Sequence, residues 1–511
     1  MGKFYFAAFL FLNQFLFSQN PNPDFGEEFI QDFLPSVYVS MNEDDYNWMV
    51  HPDNIWSDEY QHATVIYKGS NGLQTDYTDL GIRLRGNTSR KNKKKSFKLN
   101  FSKFDKDQRF FGLKKLNLKA NVNDPSCVRE HLVMNIYRDF NLVVARVNQI
   151  KLYINNNYMG LYSNVEQVDK TFLGSRYNNK KGNLYKCTYP ADLDDLNKVY
   201  DDSVYELKTN EDENNRDHLY AFIQFLRSAT DSDFNLHIEE YIDTEEYVKQ
   251  LAVEILTGHW DGYSYNKNNY YLYYNPDENR FEYIPYDTDN TLGIDWIGRD
   301  WAARNIYDWA RHGEPRKLHT RILSVEKYKK QLTQNIDQLL DHEFTVTYQM
   351  DLAYSFKDLI RQSVIDDPYY PLDYNYTIES FDNSYTVNNV IGQAKYGIQP
   401  YIEKRGQTAR DQLDESLLSV SDQDLISGYR IFPNPLKENR NLNIFFREET
   451  GDEVRFEVWN MTGQKVYSKD IRTDPGRSKI SLDGLDSGIY IIKGRLSESN
   501  RFLKPVKIIV E

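Results

Sequence analysis

The chain contains few cysteines and few residues that break regular secondary structure, and it is poor in positive charge. Its 511 residues include only two cysteines, 16 prolines and 25 glycines. This low content of proline and glycine, together with 40 tyrosines and 28 phenylalanines, predicts globular domains and argues against a chain that is disordered throughout. Cys127 and Cys187 could pair in an exported protein, but two isolated cysteines are more often buried free thiols. The net charge of -14 argues against a general nucleic-acid binder.

Long apolar runs are also missing beyond the N-terminus. Residues 1–18 read MGKFYFAAFLFLNQFLFS, in which Lys3 precedes an apolar run that ends near the small residue Ser18. This pattern is typical of a secretory signal peptide cut after Ser18, and the run is too short to span a bilayer. No later run is long and apolar enough for a transmembrane helix. We therefore predict an exported protein without a transmembrane segment.

The segment from His259 to Gly293 carries the most informative polar residues of the chain. Tyr270–Tyr274 and Phe281–Pro285 are rich in strand-forming residues, and Asn and Pro between them favour a turn. The sequence therefore predicts a β-hairpin, which brings the residues just before and just after it to one end. The polar residues at that end are Asp261, Asn269, Asp287 and Asp289.

Carboxylate and amide oxygens gathered at one end of a hairpin suit a hard divalent cation such as Mg²⁺. Protein-kinase active sites have the same order of residues: an Asp, an Asn several residues later, and a further Asp beyond a strand pair. Asp and Asn are common in turns, however, so a purely structural role for Asp287 and Asp289 stays open.

A dense basic stretch lies between two alternating runs, Gly81–Arg85 and Ser96–Phe101. In so acidic a chain it predicts a local anion site, in which backbone N–H groups and cationic side chains hold a phosphate. Alternation places Lys98 on the face opposite the apolar residues of its strand. Arg85 and Lys98 could bind phosphate or serve structure. For Lys91–Lys94 we favour a solvated loop.

The type of predicted element changes along the chain. Strands dominate up to about residue 200, and helices dominate from there to residue 415. A helix is predicted from Ser126 to Phe140, with Arg129 and Glu130 off its apolar stripe, so that either could face a cleft. We predict an α+β fold with a β-rich N-lobe, a helical C-lobe and the acidic hairpin where they meet.

The C-terminal part contains short strands and turns without a helical period. It predicts a small all-β sandwich at 429–511, joined to the larger domain at 19–415 by a linker at 416–428 that is rich in Ser and Asp. Three motifs, YRIFPNP, VWNMTGQKVYS and LDSGIYIIKG, resemble the sorting domain of the type IX secretion system of Bacteroidota. The resemblance implies recognition by that machinery, export through the periplasm, and a final location in the medium or at the cell surface.

The larger domain resembles the spore coat protein H (CotH) kinase-like family over about residues 35–415. The motifs are LRGNTSRKNKKKSFKLNF, NDPSCVREHL, YINNNYMGLYSNVEQVDKTFL, GNLYK, HWDGYSYNKNNYYLYYN and FEYIPYDTD, in that order. The family implies an atypical protein-kinase-like fold and phosphorylation of protein Ser with ATP and a divalent metal. One departure is Tyr286, where the family commonly has Trp before the metal-site Asp.

The resemblance also implies roles for individual residues. Asp261 is similar to the catalytic Asp, and the metal ligands would be Asn269, Asp287 and Asp289. The nucleotide-binding residues would be Arg85, Lys98, Glu166 and Val168, with Lys98 on the phosphates and the segment from Glu166 to Val168 as a hinge-like adenine contact.

We therefore expect an exported CotH-like kinase that transfers phosphate from ATP, with Mg²⁺ or Mn²⁺, to Ser or Thr of an exported protein or of itself. The alternative is a non-catalytic binding or structural module at the cell surface, associated with polysaccharide. The 40 tyrosines suit stacking on sugars, although no motif specifies it.

Overall fold

The structure is a computed structural model, and it divides the chain into a large unit, residues 19–418, and a small unit that contains residues 419–511. The residues that it describes are 21–314, 316–370, 373–388, 392–418, 425–426, 429–436, 440–446, 453–461, 464–472, 476–496 and 502–510. The predicted signal peptide, residues 1–18, and most of the predicted linker lie outside the described residues.

The large unit begins with a closed barrel of seven strands. These strands are β1 (Ser36–Met41), β2 (Gln61–Lys68), β3 (Gln74–Leu84), β4 (Phe97–Asn100), β5 (Lys115–Lys119), β6 (Val147–Ile154) and β7 (Asn157–Val165). Their order around the barrel is β1-β2-β3-β4-β5-β7-β6. All neighbours are antiparallel except β1 and β6, whose parallel pairing closes the barrel.

Alternation of apolar and polar residues explains the barrel strands. In β4, Phe97 and Leu99 are buried while Lys98 and Asn100 are less so, as the predicted alternation requires.

The prediction of a solvated loop is wrong for Lys94, which is buried in an ion pair with Asp367, 2.6 Å from Nζ to Oδ2. The reason is tertiary, because the partner carboxylate comes from a part of the chain 273 residues away.

Helices and a second sheet make up the rest of the large unit. The helices are α1 (Glu43–Val50), α2 (Arg129–Asp139), α3 (Lys170–Gly174), α4 (Asp217–Ser228), α5 (Asp231–His237), α6 (Thr244–Thr257), α7 (Tyr263–Asn266), α8 (Lys317–Ser324), α9 (Glu326–Asp341), α10 (Val346–Ile365), α11 (Ile378–Asn383), α12 (Ile398–Gln412) and α13 (Glu415–Leu418). The second sheet contains β8 (Leu184–Cys187), β9 (Tyr205–Leu207), β10 (Tyr270–Asn275) and β11 (Arg280–Pro285) in the order β11-β10-β8-β9.

The predicted hairpin is confirmed by the pairing of β10 with β11, in which Tyr270 lies opposite Pro285. Residues 269 and 286, next to this pair, therefore meet at the open end. Helix α6 leads into this end. Its N-cap is Asp243, and it ends at Gly258, whose φ of 72° suits glycine.

The large unit has two hydrophobic cores. One fills the barrel and includes Phe97 and Leu99; the other is formed mainly by the helices and the second sheet. The predicted mixed α+β class is thereby confirmed. Both Cys127 and Cys187 are buried free thiols, as expected.

The small unit contains two sheets. Its strands are β12 (Leu425–Ile426), β13 (Tyr429–Phe432), β14 (Asn441–Phe446), β15 (Glu453–Asn460), β16 (Lys465–Arg472), β17 (Gly476–Ser481), β18 (Gly488–Leu496) and β19 (Phe502–Val510). Sheets of order β12-β19-β18-β15-β16 and β13-β14-β17 enclose a shared apolar core, which fits a sandwich. Across the described residues of both units, no helix has the length and hydropathy needed to cross a membrane.

Candidate functional site

Asp261 lies just after α6, and its carboxylate is surrounded by side-chain amides. Oδ1 accepts hydrogen bonds from Asn266 at 2.5 Å and Asn268 at 3.3 Å, and Oδ2 accepts from Asn269 at 3.0 Å and Asn290 at 3.2 Å. The side chain is buried, and burial raises the pKa of Asp261, although hydrogen bonds from Asn266 and Asn268 oppose the shift. The structure therefore holds one carboxylate in a fixed orientation.

Three further carboxylates meet the ammonium group of Lys119, the last residue of β5. Lys119 Nζ lies 2.7 Å from Glu130 Oε2 of α2 and 3.3 Å from Asp289 Oδ2, and it also forms an ion pair with Asp287. The side chains of Lys119 and Glu130 are only 10% and 3% exposed, whereas those of Asp287 and Asp289 are 31% and 22% exposed. The two aspartates are thus the open side of this cluster.

The charges of the cluster shift one another. Burial would raise the pKa of Asp287, but Lys119 and Arg85 outweigh burial and hold it below its usual value. Burial raises the pKa of Asp289 and of Glu130, with Lys119 acting against it. Asp287 is therefore the carboxylate that stays ionised most firmly, as expected of a group that binds cations.

A basic surface lies next to these carboxylates. Arg85 donates to the Tyr286 hydroxyl at 2.9 Å, and the Lys186 ammonium lies 5.1 Å from the centroid of the Tyr286 ring. Lys98 donates to Gln167 Oε1 at 2.9 Å, and burial lowers its pKa well below the usual value, with Arg85 adding to the effect. Lys98 and Arg85 are therefore near each other, but the cation that contacts the carboxylates is Lys119.

The predicted adenine contact, Glu166–Val168, follows β7. The Glu166 carboxylate is buried between two arginines, 2.8 Å from Arg146 and 2.6 Å from Arg176, and the Val168 side chain belongs to the helical core. Both side chains are therefore fully engaged within the protein, which leaves only the backbone groups of these two residues to contact a ligand.

Two residues at the open end of the hairpin have left-handed backbone conformations. Asn269 has a φ of 53° and Asp287 a φ of 54°, values that non-glycine residues seldom adopt. Such conformations cost free energy and are concentrated at functional sites, where the surrounding structure maintains them. Nearby His259 is buried, both of its ring nitrogens lack hydrogen-bond partners, and burial lowers its pKa to about 4.

The oxygen ligands at the open end of the hairpin fit a hard divalent cation only in part. Two partly open carboxylates and a neighbouring amide oxygen are typical Mg²⁺ ligands. However, within the described ranges no group of three or more His, Cys, Asp or Glu side chains is arranged to hold a metal ion. Instead, the Lys119 ammonium lies among Glu130, Asp287 and Asp289. The site therefore fits a divalent cation that is bound by the two aspartates and takes its remaining ligands from water or a bound molecule.

Three members of this site are not evident as site residues from the sequence. Glu130 was noted only as a residue that could face a cleft, and Lys119 was not noted at all. Asn266 is five residues after Asp261, the spacing of Asp and Asn in the catalytic loop of protein kinases, H-R-D-x-x-x-x-N. That spacing was the available signal for Asn266. No local signal pairs Lys119 with α2.

The barrel, the helical part and the charged cluster thus define an α+β domain with a polar site at the open end of its second-sheet hairpin. Residues 82–408 match the family model described as CotH kinase protein, and the chain belongs to this family.

Several known proteins resemble the chain over most of its length. It is 26% identical to the inner spore coat protein H of Bacillus subtilis over 381 residues, which cover 72% of this chain and 97% of that protein. It is 21% identical to invasin CotH2 of Rhizopus delemar over 426 residues, 77% of this chain and 69% of the relative. Invasin CotH3 of the same organism is 22% identical over 421 residues, 76% and 68% of the two chains.

The C-terminal segment is identified independently. Residues 430–511 match the secretion system C-terminal sorting domain, which confirms the predicted type IX sorting domain. The protein is therefore exported, and it is secreted or located at the cell surface.

Proposed function

We propose that this protein is an exported kinase that transfers the γ-phosphate of ATP, in the presence of Mg²⁺ or Mn²⁺, to Ser or Thr of an exported protein or of itself. The observation that carries the proposal is the contact of Lys119 with Glu130 and Asp287. In protein kinases a strand lysine pairs with a helix glutamate, and an aspartate beyond the catalytic loop binds metal. Here the lysine ends β5, the glutamate belongs to α2 and the aspartate follows β11.

This correspondence is the basis for proposing a kinase-like two-lobed arrangement within the large unit. The barrel would serve as the N-lobe and the helical part as the C-lobe, with the charged cluster where they meet. The proposal assigns to Lys119 the phosphate-binding role that the motif comparison gave to Lys98. Lys98, Arg85 and Lys186 then supply further positive charge for phosphate oxygens.

The metal would be held by Asp287 and Asp289 together with an amide oxygen of Asn266 or Asn269. When bound, a divalent ion neutralises charge on the phosphate oxygens. Asp287 suits this role because its pKa is held low and its side chain is partly exposed. The backbone of Glu166–Val168 is the proposed adenine contact.

Asp261 is the proposed base. It accepts the proton of the acceptor hydroxyl as the hydroxyl oxygen bonds to the γ-phosphorus and the bond to ADP breaks. Its raised pKa favours proton acceptance, and the four amides fix its orientation. Phosphoryl transfer depends mostly on positioning and charge neutralisation, so a rigid carboxylate is what the reaction requires.

The test is incubation of the purified chain with labelled ATP and either metal, with and without exported proteins from its host. Label that becomes covalently attached to Ser or Thr would support the proposal. If calorimetry shows no nucleotide binding with Mg²⁺ or Mn²⁺, the proposal fails, and a surface-binding module becomes the better interpretation. The name invasin carried by two relatives favours that second candidate.

A further inference from the structure

A groove lies beside Asp261, and its lining contains none of the residues proposed to contact ATP directly. Its volume is about 240 Å³. Its lining includes four aromatic or amide side chains and two exposed arginines, namely Trp260, Tyr265, Asn266, Trp296, Arg299 and Arg311.

The groove is connected directly to the proposed base. Asn266 lines the groove and also donates to Asp261 Oδ1 at 2.5 Å, and Trp260 precedes Asp261 in the chain. A molecule in the groove is therefore one side chain away from the carboxylate that would accept the acceptor proton.

The loop that forms one wall is held in a fixed shape by a buried carboxylate. The Asp295 side chain is 1% exposed and accepts hydrogen bonds from the backbone N–H of Gly298 at 2.9 Å and of Arg299 at 3.2 Å, and from the Trp301 indole at 3.0 Å. Lys395 forms an ion pair with the same carboxylate. A preorganised loop loses little entropy when a partner binds.

This rigid loop presents apolar side chains to solvent. Trp296 is 44% exposed and the adjacent Ile297 is 42% exposed. Trp296 also contacts the buried Trp260 edge-on, with ring centroids 5.5 Å apart. Exposed aromatic and aliphatic side chains grouped on a rigid wall are typical of a site that binds an apolar side chain of a partner.

The charges around the groove favour an acidic partner. The chain as a whole has a net charge of -14, yet Arg299 and Arg311 are both exposed here. Nearby carboxylates already have cationic partners: Asp300 is 2.7 Å from Lys404. One oxygen of Glu314 is 2.7 Å from Lys267 and 3.2 Å from Arg316, and the other oxygen is 3.2 Å from Arg311. Among the described residues Arg299 forms no ion pair, so a ligand carboxylate meets this arginine without a competing protein carboxylate, whereas Arg311 would be shared between Glu314 and the ligand.

We propose that this groove binds the acceptor segment of the protein substrate, an acidic polypeptide with an aromatic or aliphatic side chain near its acceptor Ser or Thr. This inference rests on the proposed kinase function. Carboxylates of the segment pair with Arg299 and Arg311, and the apolar side chain lies against Trp296 and Ile297. The aliphatic contact and the two arginines together favour such a peptide over a neutral sugar.

The experiment measures binding in the absence of ATP, so that its outcome does not depend on phosphotransfer. Fluorescein-labelled 12-residue peptides with one Ser and one Leu, flanked by Glu in one peptide and by Lys in the other, are titrated with the full chain. Binding is followed by anisotropy at low and at physiological salt. Oligogalacturonate serves as an acidic glycan of similar length.

The variants are Arg299→Glu and Trp296→Ala, with Lys106→Glu and Trp56→Ala as matched controls. Lys106 is exposed and Trp56 is 50% exposed, and both are in the part of the chain that forms the barrel. Melting temperatures of all four variants identify any that do not fold.

We expect the Glu peptide to bind at least about tenfold more tightly than the Lys peptide. Arg299→Glu and Trp296→Ala should each weaken its binding by about tenfold, and the controls should not. Equal binding of the two peptides, or equal effects of groove and control variants, would overturn the inference. So would binding of oligogalacturonate, and not of the Glu peptide, through Arg299 and Trp296. Labelled-ATP incubation tests the kinase proposal separately, so failure of one does not imply failure of the other.

Discussion

Replacing Lys119 with Met removes the ammonium group that forms ion pairs with Glu130, Asp287 and Asp289. Loss of one partner from a buried ion pair typically costs about 3–5 kcal/mol, because a charge is left buried and uncompensated. Here we expect the lower end, about 3 kcal/mol, since Asp287 is 31% exposed and can regain solvation. The raised pKa values of Asp289 and Glu130 also let these groups take up protons.

The same substitution should create a response to divalent cations. Without the ammonium group, Glu130, Asp287 and Asp289 form a set of three carboxylates, which Mg²⁺ or Mn²⁺ binds well. Ligands that bind only the folded state raise its stability, so millimolar Mg²⁺ should restore much of the lost stability. Phosphotransfer should still fall by about 100-fold or more, because a preorganised positive charge is lost from the site.

Lys94→Met is the matched control. The Lys94–Asp367 pair is also buried, with side chains 6% and 1% exposed, but it has a single carboxylate and lies outside the charged cluster. It should lose similar stability, and Mg²⁺ should restore less of it than in Lys119→Met, because the Lys119 ammonium still lies among the three carboxylates.

The assay is unfolding in guanidinium chloride followed by circular dichroism, with and without Mg²⁺, together with labelled-ATP transfer. Denaturant is preferred to heat, because in a chain of this size a change of about 3 kcal/mol moves the melting temperature by only a few degrees. The reasoning is refuted if Lys119→Met unfolds at the wild-type denaturant concentration. It is also refuted if Mg²⁺ stabilises Lys94→Met as much as Lys119→Met.

Three further predictions concern the base, the small unit and pH. Asp287→Ala should weaken binding of metal–ATP as well as turnover, whereas Asp261→Asn should leave ATP affinity nearly intact and lower turnover by about 100-fold or more, as calorimetry and initial rates will show. Asp261→Asn also places an amide donor against other amide donors, so it should lower the unfolding free energy by about 1–3 kcal/mol. Parallel losses of ATP affinity, rate and stability in both variants would contradict the separate roles. A chain ended at Ser421 should fold and keep its activity but remain in the periplasm of its host, and normal arrival in the medium would contradict the role of the sorting domain. Burial raises the pKa of Glu254 to about 8, so the folded state holds a proton there that the unfolded state releases at a lower pH. The resulting stabilisation is complete below the pKa of the unfolded state and is lost as the pH rises through about 8. The guanidinium chloride concentration at the unfolding midpoint should therefore decrease as the pH is raised from about 5 to about 8. Glu254→Gln should make this decrease smaller.

The sequence by itself was sufficient for the local elements around the site. The two strands of the hairpin, β10 and β11, were predicted within one residue at each end. Alternation and turn residues act over a few positions, so they are visible without knowledge of the rest of the chain. The family and sorting motifs are local in the same sense.

Tertiary structure alone decided which charges meet. Lys119 and Asp287 are 168 residues apart, at or just after the ends of strands of two different sheets, and they come together only because the packed domain places the end of β5 beside the open end of the second-sheet hairpin. The burial of Lys94 depends in the same way on Asp367, 273 residues later. The residues that flank a lysine in the sequence do not show whether its ammonium group is solvated or forms a buried ion pair. The distinction depends on which distant carboxylate the packed chain brings to it, since an ammonium group is stable in the interior only beside an opposite charge.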